Sequence, residues 1–213
     1  MAVRYERCRM LMGEDFEKLR SAKVLLLGVG GVGSFCLDCL FRSGVEEITI
    51  VDFDRYDETN QNRQIGSDRV GAVKVHRLAE LYPTVTPIEA KIDAEWVENF
   101  DFEPFDLVLD AIDDLKAKIA LAHKTWPKLI SATGGARKLD PTKIEIASIW
   151  KTHGDPFARK IRYELKKSGF KEDYQALFSP ESPKCTQKGS FVGVTGSFGL
   201  AMCSAAVRKI LNS

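Results

Sequence analysis

One feature constrains this chain most. An apolar run, Val24-Leu-Leu-Leu27, breaks into Gly28-Val-Gly30-Gly31-Val-Gly33 and then into a helix-forming segment. A buried strand that turns tightly into a helix is the opening of a βαβ unit. The turn presents backbone N–H groups at the positive end of a helix dipole, and glycine lets an anionic oxygen come close. A second run, Ile48-Thr-Ile-Val51, ends at Asp52, where such units hold a ribose hydroxyl. The pattern points to a nucleotide site containing Gly28, Gly30, Gly31, Gly33 and Asp52.

The rhythm continues. Strands are predicted at Val24–Leu27, Ile48–Val51, Ile88–Ile92, Leu107–Asp110 and Leu129–Ser131. Helices are predicted between them at Gly33–Arg42, Val73–Leu81, Ala94–Asn99 and Lys116–Lys124. Alternation of this kind gives a parallel sheet covered on both faces, with ligands beyond the carboxyl ends of the strands. The expected fold is α/β, a Rossmann-like, doubly wound, mostly parallel sheet with additional C-terminal strands and helices. After Gly135 the pattern changes. Lys143–Trp150 alternates like a half-wet strand, Pro156–Lys167 reads as a basic helix capped by Asp155, and Ser168–Ser190 reads as loop. A last helix is expected over Ser197–Leu211. The first 20 residues are polar and helix-prone. One domain over 1–213 is expected, with 1–135 as nucleotide-binding core and 136–213 as a substrate-binding part.

Net charge is close to zero, so bulk charge alone does not suggest nucleic-acid binding. The five cysteines, Cys8, Cys36, Cys39, Cys185 and Cys203, have no disulfide-framework spacing. With no signal peptide, a reducing cytoplasm is expected. Cys36-x-x-Cys39 lacks the second pair that a structural zinc needs, and reads as buried small hydrophobes. Gly189–Val207 is uncharged but weakly apolar. It is expected to be a packed helix and not a membrane span.

A glycine turn with a downstream acid also suits a nicotinamide dehydrogenase, but three further features point elsewhere. The loop Asp54-Arg-Tyr-Asp-Glu-Thr-Asn60-Gln-Asn-Arg63-Gln64 follows the second strand and is rich in amide and guanidinium groups. Arg63 there can clamp phosphate oxygens bidentately. Gly71-Ala-Val-Lys74 delivers a lysine to a helix start, where the dipole disfavours it unless an anion is present. Asp110-Ala-Ile-Asp113-Asp114 clusters carboxylates at a strand end. One of them can cap the following helix and another can hold Mg²⁺ together with phosphate oxygens.

Taken in order, G-x-G-G-x-G, Asp52, Asn60-x-x-Arg63-Gln64, Gly71-x-x-Lys74 and Asp110-x-x-Asp113 resemble the ubiquitin-activating-enzyme-like adenylyltransferases. The resemblance implies ATP–Mg²⁺ binding and adenylation of a carboxylate, with release of pyrophosphate. It implies that Asp52 holds the ribose, that Arg63 and Lys74 contact phosphates, and that Asp113 binds the metal. Asp54, Asn60 and Gln64 join the nucleotide site. Arg7, in Tyr5-Glu-Arg7, matches an arginine that family dimers lend to the partner's site, which implies a homodimer.

Two branches of that family compete. One activates the Gly-Gly tail of a ubiquitin-like sulfur carrier, and its members often carry two C-x-x-C pairs, which this chain lacks. The other dehydrates threonylcarbamoyladenosine beside the tRNA anticodon. Asn60-Gln-Asn-Arg63-Gln64-Ile65, Thr133-Gly-Gly-Ala136, Asp140-Pro-Thr-Lys-Ile144 and Asp155-Pro-Phe-Ala-Arg-Lys160-Ile-Arg162 resemble that second branch. The implied partner is tRNA bearing threonylcarbamoyladenosine, and docking by a sulfur-transfer protein stays open. The residues agree independently of the resemblance. Lys151–Ser190 holds nine Lys/Arg against five acids, a local basic stripe in a nearly neutral chain. Cys185, beside Lys184 and Lys188, is a candidate nucleophile, because nearby cations favour the thiolate.

Overall fold

The structure is a computed structural model and describes residues 3–212. Strands β1 (Lys23–Leu27), β2 (Glu47–Asp52), β3 (Val85–Glu89), β4 (Leu107–Asp110), β5 (Leu129–Ala132), β6 (Glu145–Ser148) and β7 (Gln175–Phe178) form one sheet in the order β3-β2-β1-β4-β5-β7-β6. All pairings are parallel except β6 with β7. Helices α1 (Glu6–Met12) and α2 (Phe16–Ser21) precede the sheet. The others are α3 (Gly33–Ser43), α4 (Lys74–Leu81), α5 (Ala94–Asn99), α6 (Leu115–Thr125), α7 (Pro156–Lys167) and α8 (Val192–Leu211).

The central strands are apolar at nearly every position because both faces are covered. One core packs α3, α4 and α8 on one face, through Leu26, Leu37, Leu78 and Phe198. The other packs α5, α6 and α7 on the opposite face, through Leu27, Val97, Leu121 and Ile161. This is the expected doubly wound architecture. Pro87 sits in β3 at the sheet edge, where a missing ladder donor is tolerated.

The strand order reverses between β1 and β4, and ligands bind at such a reversal. Leu27 is level with Val51 of β2 and with Asp110 of β4. The residues that follow, Gly28, Asp52 and Ala111, therefore emerge side by side.

Five expectations need correction. Ser168–Ser190 is not all loop. Its Ala176-Leu177-Phe178 is fully buried in β7, with Leu177 in one core and Ala176 in the other, so neither face of the strand is wet. The third strand starts and ends earlier than expected, at Val85–Glu89, and the half-wet strand shortens to Glu145–Ser148 before a tight turn. Helix α8 begins five residues early, at Val192. It packs so closely on α3 that a Cβ on Gly199 would stand 2.4 Å from the Val32 carbonyl oxygen. Finally, Cys36 is a buried core residue as expected, but Cys39 forms a disulfide with Cys203 across α3 and α8. The length and mean hydropathy of α8 would suffice for a membrane span, yet over half of it is buried in the fold.

Candidate active site

A cavity of about 610 Å³ opens at the carboxyl edge of the sheet, over the reversal. The glycine turn forms its floor. The Gly28 N–H donates to the Val51 carbonyl (2.9 Å), and the Val29 N–H donates to Asp52 Oδ2 (2.9 Å). These two bonds tie the turn to β2. A Cβ on Gly33 would lie 1.9 Å from the Gly28 carbonyl oxygen, so the first turn of α3 can pack on the loop only with glycine there. No side chain caps α3. The N–H groups of Gly30 and Gly31 have no acceptor among the described residues. Open donors at a helix N-terminus make an anion cradle.

Asp52 is 8% exposed and lines the cavity. Its Oδ1 accepts from the Asp54 N–H (2.9 Å), so the carboxylate shapes the loop while each oxygen keeps a further lone pair. Asn60 is buried and serves the loop. It forms a capping box with Asp57 around the short turn Glu58–Asn60. The Thr59 hydroxyl and the backbone N–H groups of this turn hold the Asp57 carboxyl below its usual range. The turn sets the course of the chain into Arg63 and Gln64, both on the cavity wall. Arg63 Nη1 donates to the Thr59 carbonyl (2.6 Å) and to Asn62 Oδ1 (2.8 Å). Both acceptors are neutral, so the guanidinium charge remains available to an anion. Gln64 Oε1 is buried without a partner among the described residues, and a donor seated by the glycine turn would satisfy it.

Lys74 begins α4, as the reading of Gly71–Lys74 required, and is only 5% exposed. Its Nζ meets Asp54 Oδ2 at 2.9 Å. The anion anticipated for Lys74 is therefore supplied in part by the protein, and Asp54 acts as its holder at the cavity wall. Of the two acids after β4, one takes the capping role foreseen for the pair. Asp114 caps α6, accepting from the Ala117 N–H (2.8 Å). Asp113 lines the cavity, and no described residue pairs with it. Among the described residues no cluster of three or more His, Cys, Asp or Glu could hold a metal alone. A Mg²⁺ seated by Asp113 would complete its shell from phosphate oxygens and water, as this ion usually does.

A buried network supports this edge. Lys118, 1% exposed, places Nζ 2.8 Å from Asp110 Oδ2 and 2.8 Å from the Ala132 carbonyl oxygen. The Ser131 hydroxyl donates to the same Asp110 oxygen (2.6 Å), and Asp110 Oδ1 accepts from the Ile112 N–H (3.1 Å). The ends of β4 and β5 are thus locked beneath Asp113.

Two candidates lie apart from the cavity wall. Arg7 is exposed on α1 and does not line the cavity of its own chain. Cys185 is exposed in a loop, its Sγ 3.3 Å from the Gln187 carbonyl oxygen. That loop reaches the cavity through Ser190, and the Arg137 N–H donates to the Gly189 carbonyl (2.8 Å). The sequence reading missed Phe53, Lys91, Ile92 and Thr195 on the wall. The first three follow the ends of β2 and β3, so the rule that ligands sit beyond strand ends could have found them. Thr195 comes from α8, whose start was misplaced.

Fold and site together define an α/β nucleotide-binding protein in which an open glycine turn, Arg63, Lys74 and a carboxylate that pairs with no described residue surround one cavity. The chain belongs to the ThiF family, whose family model matches residues 5–213. A tRNA threonylcarbamoyladenosine dehydratase of Bacillus subtilis is 40% identical over 196 residues, covering 86% of this chain and 77% of that protein. The Haemophilus influenzae protein of the same name is 32% identical, covering 88% and 76%. The crystal structure of the Escherichia coli tRNA N6-threonylcarbamoyladenosine dehydratase TcdA in complex with ATP superposes with a TM-score of 0.91 at 31% identity, covering 98% of this chain and 94% of that one.

Proposed function

We propose that this protein dehydrates threonylcarbamoyladenosine in tRNA, using ATP to activate the threonyl carboxylate. The observation that carries this reading is the convergence of the open glycine turn, Arg63, Lys74 and the unpaired Asp113 on one cavity. The names and ATP complex of the relatives support it.

The chemistry required is phosphoryl-centre substitution between two anions, so the protein's task is positioning and charge stabilisation. The glycine turn and the N-terminus of α3 would take phosphate oxygens, and Asp52 would accept from a ribose hydroxyl. Arg63 and Lys74 would offset charge on the α-phosphate while the substrate carboxylate forms the new P–O bond and pyrophosphate leaves. Asp113 would hold Mg²⁺, which neutralises phosphate charge when bound. The carbamoyl nitrogen borne by the adenine then attacks the activated carbonyl, and AMP and a proton leave. The nucleoside has lost one water. No general base is needed for the first step, because the carboxylate is already ionised.

In a homodimer, Arg7 of one protomer would add charge stabilisation at its partner's site. Residues 136–213 would form the substrate side of a single adenylating domain, working in the cytoplasm. An intramolecular nitrogen attack gives Cys185 no required role, and a sulfur-transfer protein has no step here.

Pyrophosphate release tests the reading. It should appear with Mg²⁺–ATP and tRNA bearing threonylcarbamoyladenosine, and vanish in Asp113→Ala. Release that responds to a small Gly-Gly-tailed protein, and not to this tRNA, would overturn the reading in favour of sulfur-carrier adenylation.

A further inference from the structure

We propose that the outward face of α7 is an RNA-docking surface on which Tyr163 stacks a base amid Arg159, Lys160, Lys166 and Lys167. The inference rests on the tRNA reading above and says which surface holds the RNA.

Residues three and four apart share a face, so Arg159 and Lys160 flank Tyr163 on one side and Lys166 and Lys167 on the other. Ala158, Ile161 and Leu165 are buried on the opposite side. Tyr163 is 64% exposed, unusual for a large aromatic ring in the middle of a helix. All four cations are exposed, and none has an ion pair or side-chain hydrogen bond among the described residues.

That pattern differs from the cations of the opposite half of the sheet. Arg20 is paired with Glu17 and Glu46, Arg42 with Asp38, and Arg77 with Asp68 and Glu80. Among the described residues no acid near α7 forms an ion pair with these four cations. Asp155 is buried at the N-cap, and Glu164 is half-buried at the edge of the face. Asp173 accepts from Ser148. A solvated surface helix usually interleaves signs, whereas four cations left unpaired around an aromatic ring match a phosphate backbone with a base to stack.

The position of α7 fits the same reading. Asp155 Oδ2 accepts from the Thr133 hydroxyl (3.0 Å), and Thr133 leads directly into Gly134 and Gly135 on the cavity wall. The helix therefore starts at the rim of the cavity and runs about 18 Å away from it. A hairpin loop that delivers its nucleotide to the cavity can lay its adjoining strand along this face. A charged protein partner would meet the cations but has no planar base for Tyr163.

The test is filter binding of tRNA bearing threonylcarbamoyladenosine across a KCl series, with ATP affinity and thermal melting as controls. The combined variant Arg159→Gln, Lys160→Gln, Lys166→Gln and Lys167→Gln should bind at least about tenfold more weakly near physiological salt, with a salt slope shallower by about three. Tyr163→Ala should lose about tenfold, and Tyr163→Phe should retain affinity because the stacking ring remains. ATP affinity should not change in any of them. If the wild type binds this tRNA and the combined variant binds equally well with the same slope, the RNA lies elsewhere. The docking proposal then fails while the tRNA reading stands. Equal losses in Tyr163→Ala and Tyr163→Phe would overturn the stacking role. A wild type that does not bind tRNA at all would overturn both.

Discussion

Lys118 offers the sharpest test of how the site edge is built. Its ammonium is buried and makes three contacts, to Asp110 Oδ2, Ser131 Oγ and the Ala132 carbonyl oxygen. In Lys118→Met the Asp110 carboxylate, fully buried, would keep the Ser131 hydroxyl and the Ile112 N–H but lose its counter-charge. Breaking a buried pair from one side costs about 3–5 kcal/mol, because an uncompensated charge stays behind. In a chain of this size that corresponds to a fall in Tm of roughly 6–20 °C. Removing both charges in Lys118→Met with Asp110→Asn should restore most of the loss, since the amide oxygen still accepts from the Ile112 N–H and the amide nitrogen can donate to the Ser131 hydroxyl oxygen. The assay is urea unfolding of the wild type, both single variants and the double variant. The cycle should give a coupling of about 2 kcal/mol or more. A single variant within about 1 kcal/mol of the wild type, or a double variant no more stable than Lys118→Met, would refute the reasoning.

Other outcomes follow from the same geometry. Gly33→Ala should abolish ATP binding in calorimetry, because its Cβ would sit 1.9 Å from the Gly28 carbonyl oxygen and displace the cradle. Asp114→Ala should cost about 0.5–2 kcal/mol of stability through loss of the α6 cap, with pyrophosphate release retained per folded molecule. Glu181 is held below its ordinary pKa of 4.5, mainly by the N–H groups of Asp140 and Leu139 and also by Lys184. Its contribution to stability is therefore present above that value and lost as the pH falls below it. In acid unfolding followed by circular dichroism, Glu181→Gln should flatten this part of the profile. A variant with the same acid dependence as the wild type would show that the carboxylate is not so held.

The nucleotide half was legible because its signals are local. Glycines, strand ends and helix starts are adjacent in sequence, and the register of β1, β2 and β4 then brings Gly28, Asp52 and Ala111 together. The α6 cap is legible in Asp113-Asp114 because an N-cap is a short-range device. What was hidden depends on distant partners. Lys118 reads as a solvated helix lysine until β4 and β5 close over it. Its only trace is Asp110, an acid in a strand apolar enough to be central, which calls for a buried cation. Strand β7 has four residues, three of them buried, between charged and proline-containing segments, and is too short for its own periodicity. The early start of α8 is hidden in the sequence because glycine argues against helix, while close packing on α3 rewards it. Cys39 and Cys203 are 164 residues apart, and no spacing rule joins them.

The central claim is that the cavity adenylates a carboxylate of a tRNA nucleoside and that water is lost. Mass spectrometry of nucleosides tests it most directly, using tRNA bearing threonylcarbamoyladenosine incubated with the protein and Mg²⁺–ATP. The account predicts that this nucleoside loses the mass of one water with wild-type protein and keeps its mass with Asp113→Ala. An unchanged nucleoside with the wild type, under conditions where ATP is bound, would contradict it.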